Sequence, residues 1–213
     1  MRSSLNSASP PDRQASGLAL LSTMPGCCIG SRAHRGAQKM SEPLREPSFQ
    51  QAMEITAQWL ALWENGELSD EVLADRVGEL VASRDGARGF FVVSLAGDCP
   101  LMDRLPEPLV LQLRAAGAGV VDLSVRNLAM STAMALQHGR SGDAAQQAGS
   151  ERVQSRCTEL LRLLEPAAVK QRLETLLEAA AQGSGEDQGF LDRWGYDTDQ
   201  RRAIVAAVEA VPG

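Results

Sequence analysis

The side chains best suited to chemistry fall on the stretch "VRNLAMSTAMALQH", Val125 to His138, and the residue before it. At about 100° per residue, Ser124, Asn127, Ser131 and His138 share one sector of a helix. Hydroxyl, amide and imidazole groups are those that orient a small polar ligand, and Arg126 lies alongside. A polar groove along Ser124, Arg126, Asn127, Ser131 and His138 is therefore the first candidate site. A nucleophile–base pair is excluded on one helix. Ser131 and His138 are seven apart, roughly 10 Å along the axis at about 1.5 Å per residue. The structural alternative is that these groups bond neighbouring helices and fix their register. His138 stands at a helix C-terminus, where a positive imidazole complements the dipole.

A second constellation is "GDCPLMD", which sets Asp98, Cys99 and Asp103 around a proline turn, with Arg152 and Arg156 four apart in "GSERVQSR". Two acids beside a thiol make a candidate site, and two arginines at helical spacing make a candidate anion grip. Helix capping, a packed turn and a solvated helix face are the ordinary uses of the same residues. "GAG" at 117–119 lacks the GxGxxG pattern of a phosphate cradle. There is no CxxC, HExxH or P-loop. No metal and no cofactor is expected, and no residue is assigned a catalytic role.

Charge narrows the partners. The chain of 213 residues carries a net charge of −6. Residues 1–39 hold Arg2, Arg13, Arg32, Arg35 and Lys39 against Asp12, a balance of +4, which leaves −10 on the remainder. An acidic domain repels phosphate backbones, so nucleic acid is a poor partner. The cysteines, Cys27, Cys28, Cys99 and Cys157, have neither metal-ligand spacing nor the pattern of a disulfide framework, which fits a reducing cytoplasm. No stretch reaches the roughly 20 apolar residues of a spanning helix. Association of the basic tail with an anionic membrane surface is the alternative location.

Positioning these groups requires helices. Ser48 caps an amphipathic segment with Phe49, Met53, Ile55, Ala57, Leu60 and Trp63 on its face, ending at Asn65-Gly66. Ser69 caps a second, whose stripe is Val72, Leu73, Val77, Leu80 and Val81 and which closes at Gly86. Pro106 and Pro108 open another that ends at Gly117. Further helices follow from 143 to 164, from Pro166, and from Asp197 or Thr198. "GSGEDQG" reads as a flexible connector.

On residues 121–138, Val121, Val125, Leu128, Thr132, Ala135 and Leu136 form one apolar sector, and Leu123, Met130 and Met134 form a second on the opposite side. A helix apolar on two sides must be packed on two sides, so this is the central helix. Asp122 and Arg126, four apart, can pair beside it. The expected fold is all-α: a single bundle of about seven or eight helices over residues 48–211, preceded by a disordered extension over 1–47. The alternative is a small α/β unit in the middle, with 89–95 and 119–125 as strands.

Residues 1–47 are rich in Ser, Pro and Gly without period. They read as a disordered extension, upstream of a start at Met40 or else Met24, or as a targeting peptide. At "ARGFFVVSLAGDCPLMD" and at "VRNLAMSTAMALQH" followed by "AGSERVQSR", the chain resembles a family of bacterial proteins without assigned function, common in cyanobacteria. The resemblance is best over Met53 to Cys157. It implies a helical domain and a start near Met40, and it supplies no activity. The function expected is that of a non-enzymatic helical module that binds a protein partner or assembles with copies of itself. A small-molecule binder or enzyme using the groove along 121–138 is the competing reading.

Overall fold

The computed structural model describes residues 46–211. The expectations about the N-terminal extension, the start at Met40 or Met24, the targeting or membrane role of the basic tail, and Cys27 and Cys28 lie outside the described residues. Among those residues there are nine α-helices and no strand. They are α1 (Phe49–Glu64), α2 (Asp70–Val81), α3 (Arg84–Ala96), α4 (Glu107–Ala115), α5 (Ala118–Ser141), α6 (Ala144–Leu163), α7 (Pro166–Gln182), α8 (Gln188–Trp194) and α9 (Thr198–Glu209). A single 3-10 turn, Pro100–Met102, joins α3 to α4.

The helix starts follow from short polar side chains that accept orphan backbone N–H groups. Ser48 accepts from the Gln51 amide, and the Gln51 side chain accepts from the Ser48 amide in return, a capping box. Ser69 caps α2, Asp143 caps α6, and Asp197 with Gln200 forms a second capping box on α9. Pro166 opens α7, where its missing N–H costs nothing.

The two segments that could have been strands are helical. Residues 89–95 lie in α3 and 119–125 in α5, so the α/β alternative is overturned. The β-formers of α3 are there for burial: Phe90 and Phe91 are buried and meet edge to face at 5.3 Å. One boundary also moves. α2 stops at Val81, Ser83 caps α3, and Gly86 lies inside the first turn of α3 with its amide on the Ser83 hydroxyl. A β-carbon at Gly86 would sit 2.0 Å from the Leu80 carbonyl oxygen, so this turn passes directly under the end of α2. Gly117 ends α4 as expected, its amide donating to the Arg114 carbonyl just past the Ala116 cap, and it also begins α5. Its φ of 70° and ψ of −141° are open essentially to glycine alone, and across it α4 and α5 turn by 106°. The connector before residue 190 is shorter than expected, because Gln188–Trp194 forms α8.

α5 is the axis of the bundle. It packs on α6 along most of its length and also on α3, α7 and α9. Val121, Val125, Leu128, Ala129 and Ala133 are buried along it, and Leu123 packs half-buried against the same core. Met130 and Met134 are half-buried too, so the second apolar sector is less covered than the first. α1 and α2 pack outside α3, and α4 closes on α2. No single helix among the described residues is long and apolar enough to cross a membrane.

Candidate functional site

α5 divides the polar residues of its candidate groove between two environments. Ser124 and Ser131 are buried, and their hydroxyls donate to carbonyls of their own helix, to Val120 at 2.8 Å and to Leu128 at 3.1 Å. Thr132 donates to the Leu128 carbonyl in the same way at 2.8 Å. Such bonds satisfy a hydroxyl without a ligand or a neighbouring helix. Asn127 and His138 are half-buried, and the His138 carbonyl takes the Ser141 hydroxyl and the Asp143 amide at the helix end.

Arg126 enters a charged cluster that ties α5 to α7 and to the turn before α8. It pairs with Asp122 at 3.1 Å, the i,i+4 pair legible in the sequence. Arg172 of α7 also reaches Asp122, at 2.7 Å, and grips both oxygens of Asp187. Arg126 completes the ring to Asp187 at 3.2 Å and lies over the Phe190 ring at 5.0 Å. Asp187 is only 1% exposed, so its charge is held by these two guanidinium groups. Burial pushes the Asp122 carboxyl up, but the hydrogen bonds from Arg172 and Arg126 outweigh it and hold its pKa below the ordinary value. For Arg172, burial works against the charge and the two carboxylates more than restore it.

The second constellation is brought together in full. Arg152 of α6 meets Asp98 at 2.7 Å, and Arg156, one turn on, meets both oxygens of Asp103 at 2.7 Å. The Arg156 side chain is 3% exposed. Its guanidinium also donates to the carbonyls of Ser94, Leu95, Gly97 and Cys99. These are the free acceptors at the C-terminus of α3 and the start of the 3-10 turn, where a cation is favoured by the dipole. The pKa of Asp103 is lowered, chiefly by the hydrogen bonds from Arg156. The anions that Arg152 and Arg156 hold are thus the chain's own carboxylates. The thiol between the two acids is buried, and burial raises its pKa, which leaves Cys99 a poor nucleophile. The buried Ser94 hydroxyl has no hydrogen-bond partner in the structure.

The clearest concave surface lies elsewhere, between α7 and α9. α7 contributes Glu174, Leu177, Glu178, Ala181 and Gln182 to its lining, and α9 contributes Thr198, Arg201, Arg202, Val205 and Glu209. Two adjoining open depressions of about 530 and 600 Å³ share Ala181, Gln182 and Val205 and form one continuous groove. Leu177 and Val205, both half-buried against the core, make its floor with Ala181. Glu174, Glu178 and Glu209 rim one end, and Arg201, Arg202 and Asp192 the other. None of the candidate site residues read from the sequence lines it. Its signal was present as Glu174 and Glu178 at i,i+4 on either side of Leu177, a like-charge pair that weakens an isolated helix. The groove itself needs α9, which is distant in sequence.

No group of three or more metal-ligating side chains occurs among the described residues. Compared with known proteins, the chain matches residues 48–211 to the family described as "Uncharacterised conserved protein UCP020893". No curated protein and no solved structure matches it. Since that match covers more than half of the chain, the protein belongs to this family of uncharacterised conserved proteins.

Proposed function

We propose that the chain is a non-enzymatic helical module that binds a partner protein, with the α7–α9 groove as its docking surface. The groove carries this reading. It is open to solvent, and Leu177, Ala181 and Val205 stand in its lining among charged and polar side chains. Small-molecule sites are enclosed, whereas an open channel between two helices, with apolar side chains set among charges, suits an amphipathic helix laid along it. The competing small-molecule reading along residues 124–138 has less support. The Ser124 and Ser131 hydroxyls bond their own helix, and Arg126 is engaged by Asp122, Asp187 and Phe190. Cys99 and Cys157 are free and buried, which agrees with a cytoplasmic, reducing setting.

The test is affinity capture from native lysate with the full chain and with Ala181→Arg. Ala181 is exposed in the groove, and arginine is a good helix former, so the variant obstructs the channel without disturbing the core. A protein retained by the wild type at near-physiological salt and lost with A181R is the expected result. Equal capture by both forms, or no specific protein with either, overturns the reading.

A further inference from the structure

Resting on the groove reading, we infer that the partner segment is a basic amphipathic helix, with its Lys or Arg residues over the Glu174, Glu178 and Glu209 end. The charges of the groove are not equally free. At the basic end, Arg201 is paired with Asp192 at 2.7 Å and Arg202 with Asp199 at 3.3 Å, so the chain neutralises its own cations. At the other end, Glu174, Glu178 and Glu209 are exposed, and among the described residues none forms an ion pair. Glu209 is the last residue of α9; the Arg162 guanidinium, itself paired with Glu159, donates to the adjoining Ala210 carbonyl at 2.9 Å and leaves the Glu209 carboxylate without an ion pair. Three carboxylates without an ion-pair partner, set around Leu177 and Val205, repel one another and repel acidic partners. Cations on the flank of an incoming helix relieve that repulsion while its apolar stripe covers Leu177 and Val205.

The distances fit one helix. Glu174 and Glu178 are one turn apart on α7, with Leu177 between them at the edge of the floor. A docked helix with two cations at i and i+4 beside an apolar i, i+3, i+7 stripe meets both features at once. Phosphate-bearing ligands are disfavoured by the same carboxylates, which separates a helical peptide from a nucleic acid or an anionic membrane as occupant.

Two fluorescent 18-residue helical peptides with the same Leu/Ala stripe, one flanked by Lys and one by Glu, provide the probe. Each is titrated by anisotropy against the full chain, against the triple variant E174Q/E178Q/E209Q and against R201Q/R202Q, at low and high salt. All three substituted glutamates are exposed, and circular dichroism melts verify that the variants fold.

The Lys peptide is expected to bind the wild type, and R201Q/R202Q at least as tightly, since that variant leaves Asp192 and Asp199 without these partners. It should lose on the order of tenfold in affinity to the triple variant and at high salt, since exposed pairs are individually weak but three are removed together. The Glu peptide should bind at least as much more weakly. Equal binding of the two peptides, or of the Lys peptide to wild type and triple variant, overturns the basic-helix inference and leaves the groove reading standing. Failure of both peptides to bind overturns the groove as a helix-docking surface.

Discussion

Arg156 shows how one side chain can hold a connection that no local pattern explains. Its guanidinium satisfies four carbonyls at the end of α3 and one carboxylate, all at least 50 residues away in sequence. Arg156→Met keeps the apolar stem but leaves those acceptors without a donor and Asp103 without its cation. It should cost about 3 kcal/mol in urea unfolding, the scale of leaving buried carbonyl acceptors unsatisfied, since Asp103 itself is half exposed. Arg156→Lys, with a single compact ammonium in place of a planar fork, should recover only part of that loss. Asp122 makes a second prediction. Its pKa lies below the ordinary 3.8, so its contribution is present above that value and lost as pH falls through the lowered one. Asp103 acts in the same direction. Asp122→Asn should lower stability near neutral pH by about 1 kcal/mol, a figure reduced for the screening of a side chain 40% exposed. As pH falls from the ordinary carboxylate range through the lowered pKa, the wild type and the variant should converge, which unfolding curves at neutral pH and in the acid limb would show.

Element by element, the sequence was most legible where the physics is local. Ser48, Ser69 and Asp197 mark helix starts because a side-chain oxygen needs only the next three residues to act as a cap. The α5 pattern identified the central rod because apolar residues stand on opposite sides of it. What remained hidden depends on contacts between distant segments. The α1 face expected from Phe49, Met53, Ile55, Ala57, Leu60 and Trp63 is in fact centred on buried Ala52, Thr56 and Leu60, with Ala57 exposed. The cause lies in α3: a β-carbon at Gly89 would stand 2.5 Å from the Ala52 β-carbon and 2.9 Å from the Met53 amide nitrogen. The two backbones cross where only small residues fit. Gly89→Ala should therefore destabilise by about 1–3 kcal/mol despite its better helix propensity, and Ala52→Gly in the same chain should recover little of it, because the Met53 amide nitrogen still obstructs the β-carbon and glycine weakens α1. Gly149→Ala in α6, where an added β-carbon meets nothing within 4 Å, should instead stabilise by about 0.5–1 kcal/mol. Thermal melts of the three variants separate backbone crossing from propensity. Of the candidate site, the Asp122–Arg126 pair was legible as an i,i+4 spacing. The Arg172–Asp187 half of that cluster was not, since Asp187 lies in what reads as a flexible connector.

Across the whole molecule, the arrangement of helices around α5 determines how the protein must unfold. α5 contacts α3 and α6 on the N-terminal side of the fold and α7 and α9 on the other, and its fully buried Leu128 lies in a core that runs from Ala52 of α1 to Val211. Gln200 adds a polar tie: it completes the α9 capping box and donates to the Ala133 carbonyl in the middle of α5. With one continuous core and a shared axis, neither side keeps its burial once α5 is lost, which is the condition for a cooperative two-state transition. The tryptophans make this measurable. Trp59 and Trp63 stand on α1 and Trp194 on α8, near opposite ends of the described chain. Trp194→Phe leaves fluorescence to report on α1, and Trp59→Phe with Trp63→Phe leaves it to report on α8. The two urea transitions should coincide with each other and with the loss of helix by circular dichroism. Leu128→Ala in either background should shift both midpoints together, by about 3 kcal/mol for a buried leucine. A Trp194 transition that precedes the α1 transition, or a Leu128→Ala shift confined to one reporter, would show that the helices after α5 form a separately melting unit, and the shared-axis account would fail.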